Sequence, residues 1–331
     1  MFSLNFLAEH AKPAASTEAI AMIEDPMELL EQLDEYQSSL EAFIDSVNEI
    51  VNVEKGFNEL AEIKTAIESH EVTPTIVALF GEELGKLGID LSAEKSIVVE
   101  SLSDKAKSAL EWLRKLIEKL VAAFADFFKN LLNKIYFYQG ALKKITGDNG
   151  ILKDVSKIDA EAFKEATIVG LSTDNFATIK GNLKELKELI SKKGTDFDEA
   201  KATELANAMS DIKAEKKKMS ELKFTPQSVK SEAMELLGLL TDAQALKDGQ
   251  KQFQADANDA MIKIKEGLAA AGDDQEKVNA LNAEVDAKKK AVQVRSMAIK
   301  DYGTQLCRIS HQVWVMSGRM KLLSAEGGEK K

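Results

Sequence analysis

One stretch, Ser103–Thr146, constrains the fold more than any other part of the chain. Leu110, Leu113, Leu116, Ile117, Leu120, Phe124, Phe127, Phe128, Leu131, Ile135 and Tyr138 recur there at spacings of three and four. That spacing predicts one long helix with a wide apolar stripe. Ser103 and Asp104 give a start signal, and Thr146-Gly147-Asp148-Asn149-Gly150 a stop. Trp112, Phe124, Phe127, Phe128, Tyr136, Phe137 and Tyr138 crowd into it, although aromatic residues make up only 6% of the chain. The stretch is expected to carry the densest burial in the protein, with Phe124, Phe127, Phe128 and Leu131 among the least exposed residues.

The rest of the chain reads as further helix. Only 4 prolines and 18 glycines interrupt 331 residues, and 44% of these are apolar. Apolar spacing predicts helices over 26–70, 73–87, 183–190, 197–222, 227–246, 247–271 and 275–323, with shorter ones at 151–158 and 160–169. Thr225-Pro226 reads as a cap, as does Asp196. No segment sustains a period of two, so strands are not expected. The fold class is therefore all-α, an elongated multi-helix bundle of long amphipathic helices. The organisation divides into an amphipathic leader (1–18), an acidic helical region with the apolar core helix (19–146), a helical bundle domain (147–323) and a disordered tail (324–331).

Charge narrows the function. Net charge is −11, and residues 19–100 hold 19 acids against 4 bases. An acidic front joined to a mildly basic body is not the footprint of a nucleic-acid binder. The Lys216-Lys217-Lys218 tract reads as a solvated face. Cys307 is alone, which excludes a disulfide within one chain. His10, His70 and His311 have no metal-ligand spacing, so no metal and no cofactor are expected. No phosphate loop, nucleophile elbow or selected carboxylate pair appears, and the chain reads as non-enzymatic. No stretch reaches the roughly 18 uncharged apolar residues of a membrane span.

The two ends carry the most specific motifs. Ser16-Thr17-Glu18, followed by Ala19, joins the leader to the first helix. Ser324-Ala325-Glu326, followed by Gly327, joins the last helix to the tail. A small residue, any residue, then Glu resembles the processing signal in head proteins of giant tailed phages. The leader, with Phe2, Leu4, Phe6 and Leu7, resembles the capsid-targeting segments of their internal head (inner-body) proteins, and Leu7-Ala8-Glu9 resembles a variant cleavage context. The resemblance implies a virion structural protein. Its leader would direct it into the prohead, and a prohead protease would cut after Glu18 and after Glu326. Its partners would be that protease, other capsid or inner-body proteins and further copies of itself. Packaged DNA would be a neighbour by proximity, and the protein could be ejected with it. Its location would be the capsid interior, after assembly in the host cytoplasm.

Two other readings use the organising helix. With Trp112, Phe124, Phe127, Phe128 and Leu131 on one side and basic residues on the other, it could lie in a bilayer interface, as in all-helical pore-forming toxins. The 26–70 and 275–323 stripes could instead form a coiled-coil adaptor, although their heptads drift. The breadth of the stripe, and the other helical faces available to cover it, favour an ordinary core.

Overall fold

A computed structural model describes residues 36–51, 95–193, 196–242, 244–271 and 275–326. Among these residues the fold is all-α apart from one two-stranded ribbon. Helix α1 covers 36–51 and α2 runs Lys95–Thr146. A 3₁₀ turn at Val155–Lys157 leads to α3 (Ala160–Glu165), β1 (Thr167–Gly170) and α4 (Thr173–Ile190). Then come α5 (Glu199–Ser210), β2 (Glu215–Lys218), α6 (Pro226–Thr241), α7 (Gln244–Ala271) and α8 (Gln275–Glu326). The leader, the remainder of the 26–70 stripe, the 73–87 segment and Gly327–Lys331 lie outside the described residues.

The chain forms two compact units. Among the described residues, the first draws on 36–39, those of 126–253 and 294–326; the second on 40–51, 95–125 and those of 254–293.

In the second unit α1 lies antiparallel to α2. Phe43 meets Phe124 with ring centroids 5.4 Å apart, and Lys119 Nζ reaches Glu49 at 2.8 Å. α7 and α8 are also antiparallel there, tied by Lys263–Glu284 at 3.6 Å and by an ion pair between Lys288 and Asp259. Gly267 permits close approach: a Cβ at that position would fall 2.3 Å from Leu281 Cδ1.

The first unit contains the shorter helices, and four of them start in the same way. A side chain caps the helix, and the residue before the cap and the fourth helical residue are both apolar and buried, the residue pattern of a hydrophobic staple. The caps are Asp159, Ser172, Asp198 and Thr225. The corresponding pairs are Ile158 with Phe163, Leu171 with Phe176, Phe197 with Ala202 and Phe224 with Val229, all buried. Thr225 and Ser228 complete a reciprocal capping box with Pro226 at the first helical position. Lys180 clamps α4 to α6 through Glu232 at 2.6 Å and Glu235 at 2.9 Å.

The ribbon corrects the sequence reading of 160–169 and 197–222 as helices. Thr167 pairs with Lys218 and Gly170 with Glu215, antiparallel. In α5, Ala202, Leu205 and Met209 are buried, and the helix stops at Ser210, before the lysine tract, which is drawn into the ribbon instead. Glu215–Lys218 is largely exposed, as expected of a charged edge strand that resists further pairing.

Helix lengths differ as well. α2 starts eight residues before Ser103, and α8 continues three residues past Leu323. The densest burial falls on α8 rather than on α2: from Ala291 to Met320 no residue is exposed, whereas α2 exposes Lys115, Glu118, Lys119 and Tyr136 among others.

Candidate functional site

The face of α2 is core. Phe124, Phe127, Phe128 and Leu131 are all at most 2% exposed. Phe127 packs on Tyr36 with centroids 5.7 Å apart in the first unit, and Phe124 on Phe43 in the second. Leu131 fills the space that a side chain at Gly303 would occupy. The side chain of Trp112 lies outside the described set. Phe124, Phe127 and Leu131 thus meet other helices, and among the described residues no helix is long and apolar enough to cross a membrane.

The end motifs occupy different ground. Ser16, Thr17, Glu18 and Ala19 lie outside the described residues, as does Gly327. Ser324, Ala325 and Glu326 form the last turn of α8, where Ser324 Oγ donates to Lys321 O at 2.8 Å. They follow the buried Met320 and the exposed Lys321. Similar tripeptides occur elsewhere in the chain, and two of them, Ser69-His70-Glu71 and Ser92-Ala93-Glu94, lie outside the described residues. Ser39-Leu40-Glu41, Ala109-Leu110-Glu111 and Ala233-Met234-Glu235 each sit within a helix and contain a buried residue: Leu40, Leu110 and Ala233 respectively. A protease reads an extended segment, so those internal copies are guarded by the cost of opening the core.

The least expected chemistry lies along α8. Gln312 is 5% exposed and behaves like a piece of neighbouring strand. Its Oε1 accepts from Leu171 N–H at 2.8 Å and its Nε2 donates to Leu171 O at 2.9 Å. It thereby satisfies both backbone groups of the residue that follows β1. Gly170 makes room for it: a Cβ there would fall 3.0 Å from the Gln312 amide.

Two arginines close helix ends in a similar manner. Arg295 is fully buried, with Nη1 donating to Lys192 O at 2.8 Å and Ile190 O at 3.3 Å, just past α4. Its guanidinium lies 4.2 Å from the centre of the Phe197 ring. Arg308 donates to Ile212 O at 2.8 Å, beyond the end of α5, and burial pushes its pKa down to about 10. Each places a cation where carbonyls are left over at a helix C-terminus.

A third cluster joins α1, α2 and α8. Tyr36 Oη and Thr304 Oγ1 share a hydrogen bond of 2.9 Å, and Lys134 Nζ lies 4.2 Å from the centre of the Tyr36 ring. Burial lowers the pKa of Lys134 and pushes that of the nearby Cys307 thiol up to about 11. Farther along, Tyr138 Oη and His311 Nδ1 are 3.2 Å apart, and His311 and Phe137 flank Trp314.

No family model, no curated protein and no solved structure matches this chain.

Among the described residues no group of three or more His, Cys, Asp or Glu side chains is placed to hold a metal ion. The polar groups that converge on α8 bond to backbone and to one another.

Proposed function

We propose that this chain is a non-enzymatic internal structural protein of a large tailed phage head, trimmed at its ends by a prohead protease. The observation that carries the reading is the contrast between its Glu-terminated tripeptides. The internal copies among the described residues are held in helices by buried residues, whereas Ser324-Ala325-Glu326 occupies the final turn of α8, after Met320 and the exposed Lys321. Ser16-Thr17-Glu18 stands at the matching position after an amphipathic leader.

The mechanism follows from this contrast. A helix end frays at little free-energy cost, while an internal helix opens only with its unit. A Glu-directed protease can therefore trim the ends and leave the body intact. The acidic 19–100 region supports residence beside packaged DNA, because like charge repels the phosphates and prevents tight capture. Covered by other helices, the aromatic face of α2 serves stability rather than a bilayer.

Protection within particles tests this role. Purified heads treated with an external protease should retain the chain, and should lose it only after the heads are opened. Digestion in sealed heads, or absence of the chain from them, would remove the proposal.

A further inference from the structure

In the first unit α2 and α8 run parallel, and two contacts fix their register. Leu131 lies level with Gly303, where an added Cβ would come within 2.4 Å of Leu131 Cδ2. Tyr138 lies level with His311, at 3.2 Å between Oη and Nδ1. Between these two levels stand Lys134, three residues after Leu131, and Cys307, four residues after Gly303. Residues three, four, seven and eight apart share a helix face, so Lys134 and Cys307 confront each other across the helix pair.

Their surroundings are unusual for either group. Lys134 is 8% exposed, its ammonium lies against the Tyr36 ring, and among the described residues no carboxylate pairs with it. Cys307 is a buried free thiol, the single cysteine in the chain. Tyr36, itself 1% exposed and bonded to Thr304 on α8, lies over the Lys134 ammonium. A buried ammonium without an anion is costly, and stability alone would favour an apolar side chain there.

We propose that Lys134 and Cys307 form an oxidant-triggered covalent staple between α2 and α8, closed by hydrogen peroxide. In the first step the Cys307 thiolate attacks one peroxide oxygen. An S–O bond forms and the O–O bond breaks; the sulfur is oxidised to a sulfenic acid and the peroxide is reduced to water. In the second step the Lys134 amine lone pair attacks that sulfur. An S–N bond forms, the S–O bond breaks, and the departing hydroxide leaves as water with a proton from the nitrogen. Thiol, amine and hydrogen peroxide are thus converted to a sulfenamide and two waters.

The site favours this outcome over the usual ones. No second cysteine is present to form a disulfide within the chain. Desolvation holds the lysine closer to its neutral, nucleophilic form than an exposed amine; it also raises the Cys307 thiol, a rise that the Lys134 charge offsets only in part, so alkaline buffer is what draws out the thiolate. Hydrogen peroxide is close to water in size, so it can enter where bulky oxidants cannot.

The test uses the full chain, treated with hydrogen peroxide in mildly alkaline buffer, digested without thiols and mapped by mass spectrometry. The expected product joins the Lys134 and Cys307 peptides, lighter by two hydrogens, and reverts with dithiothreitol. In Lys134→Met the cross-link is absent, and dimedone captures more sulfenic acid at Cys307 than in the wild type. Bonding to a different lysine would overturn the proposal. So would sulfinic acid at Cys307 without a cross-link, or a thiol untouched while the chain is folded. The wild-type arm decides these outcomes even if the variant folds poorly.

Discussion

Replacing Gln312 with methionine should be among the most damaging single changes in the first unit, although it swaps a polar side chain for an apolar one of similar length. Gln312 makes two buried hydrogen bonds, at 2.8 and 2.9 Å, to the N–H and C=O of Leu171, which is 1% exposed. Methionine fills the volume but leaves both backbone groups without partners. Each unsatisfied buried group costs about 1–3 kcal/mol, so the substitution should cost about 2–6 kcal/mol, the lower end applying if water enters. Urea unfolding measures it as a fall in midpoint at unchanged slope. Hydrogen exchange localises it, with amides of β1 and the start of α4 losing protection first. Gln312→Glu should fail too above the carboxylate pKa, because it keeps an acceptor for the Leu171 N–H but sets a negative charge against the Leu171 carbonyl. A loss below about 0.5 kcal/mol for Gln312→Met, within the range of ordinary surface changes, would refute the strand-mimic reasoning.

Other substitutions test neighbouring features. Tyr302 is 1% exposed and its hydroxyl has no hydrogen-bond partner among the described residues, so Tyr302→Phe should stabilise by about 1 kcal/mol in urea unfolding. Gly303→Ala should destabilise despite the better helix propensity of alanine, because the new Cβ meets Leu131 at 2.4 Å; overpacking of this kind costs about 1–3 kcal/mol, and Leu131→Val should restore part of it. Lys134 has a lowered folded-state pKa from desolvation. The unfolded chain therefore binds the extra proton between that pKa and the ordinary lysine value, and stability should rise as pH climbs through this window. The difference between wild type and Lys134→Met, measured by urea unfolding across the alkaline range, should favour the variant at neutral pH and shrink as pH rises; a constant difference would contradict the assignment.

The sequence made some of this architecture readable and hid the rest for physical reasons. Phe124, Phe127, Phe128 and Leu131 announce their burial because large apolar side chains at helical spacing have few other uses. Thr225-Pro226 announces α6 because a capping hydroxyl and a proline at the first turn act locally. The centrality of α8 is harder to read because small and polar residues line it. Ser296, Ser310 and Ser317 are fully buried, and Gly303 admits Leu131 to the helix backbone. Arg295, Arg308 and Gln312 are held by carbonyls and an amide at Ile190, Lys192, Ile212 and Leu171, about 100 residues or more away in sequence. Hydropathy sees none of these partners. The ribbon is hidden likewise, since Glu215–Lys218 reads as the polar side of a helix until Thr167–Gly170 pairs with it. Lys134 and Cys307 come together only through the parallel register of α2 and α8. A lysine inside an apolar stripe was the one sequence signal at that site.

Processing of the two ends is the claim on which the functional account stands. Terminal peptide mapping of the protein from mature particles tests it most directly. The account predicts a first residue at Ala19 and a last residue at Glu326, with no cut after Glu41, Glu111 or Glu235. An intact Met1 in assembled particles would contradict it.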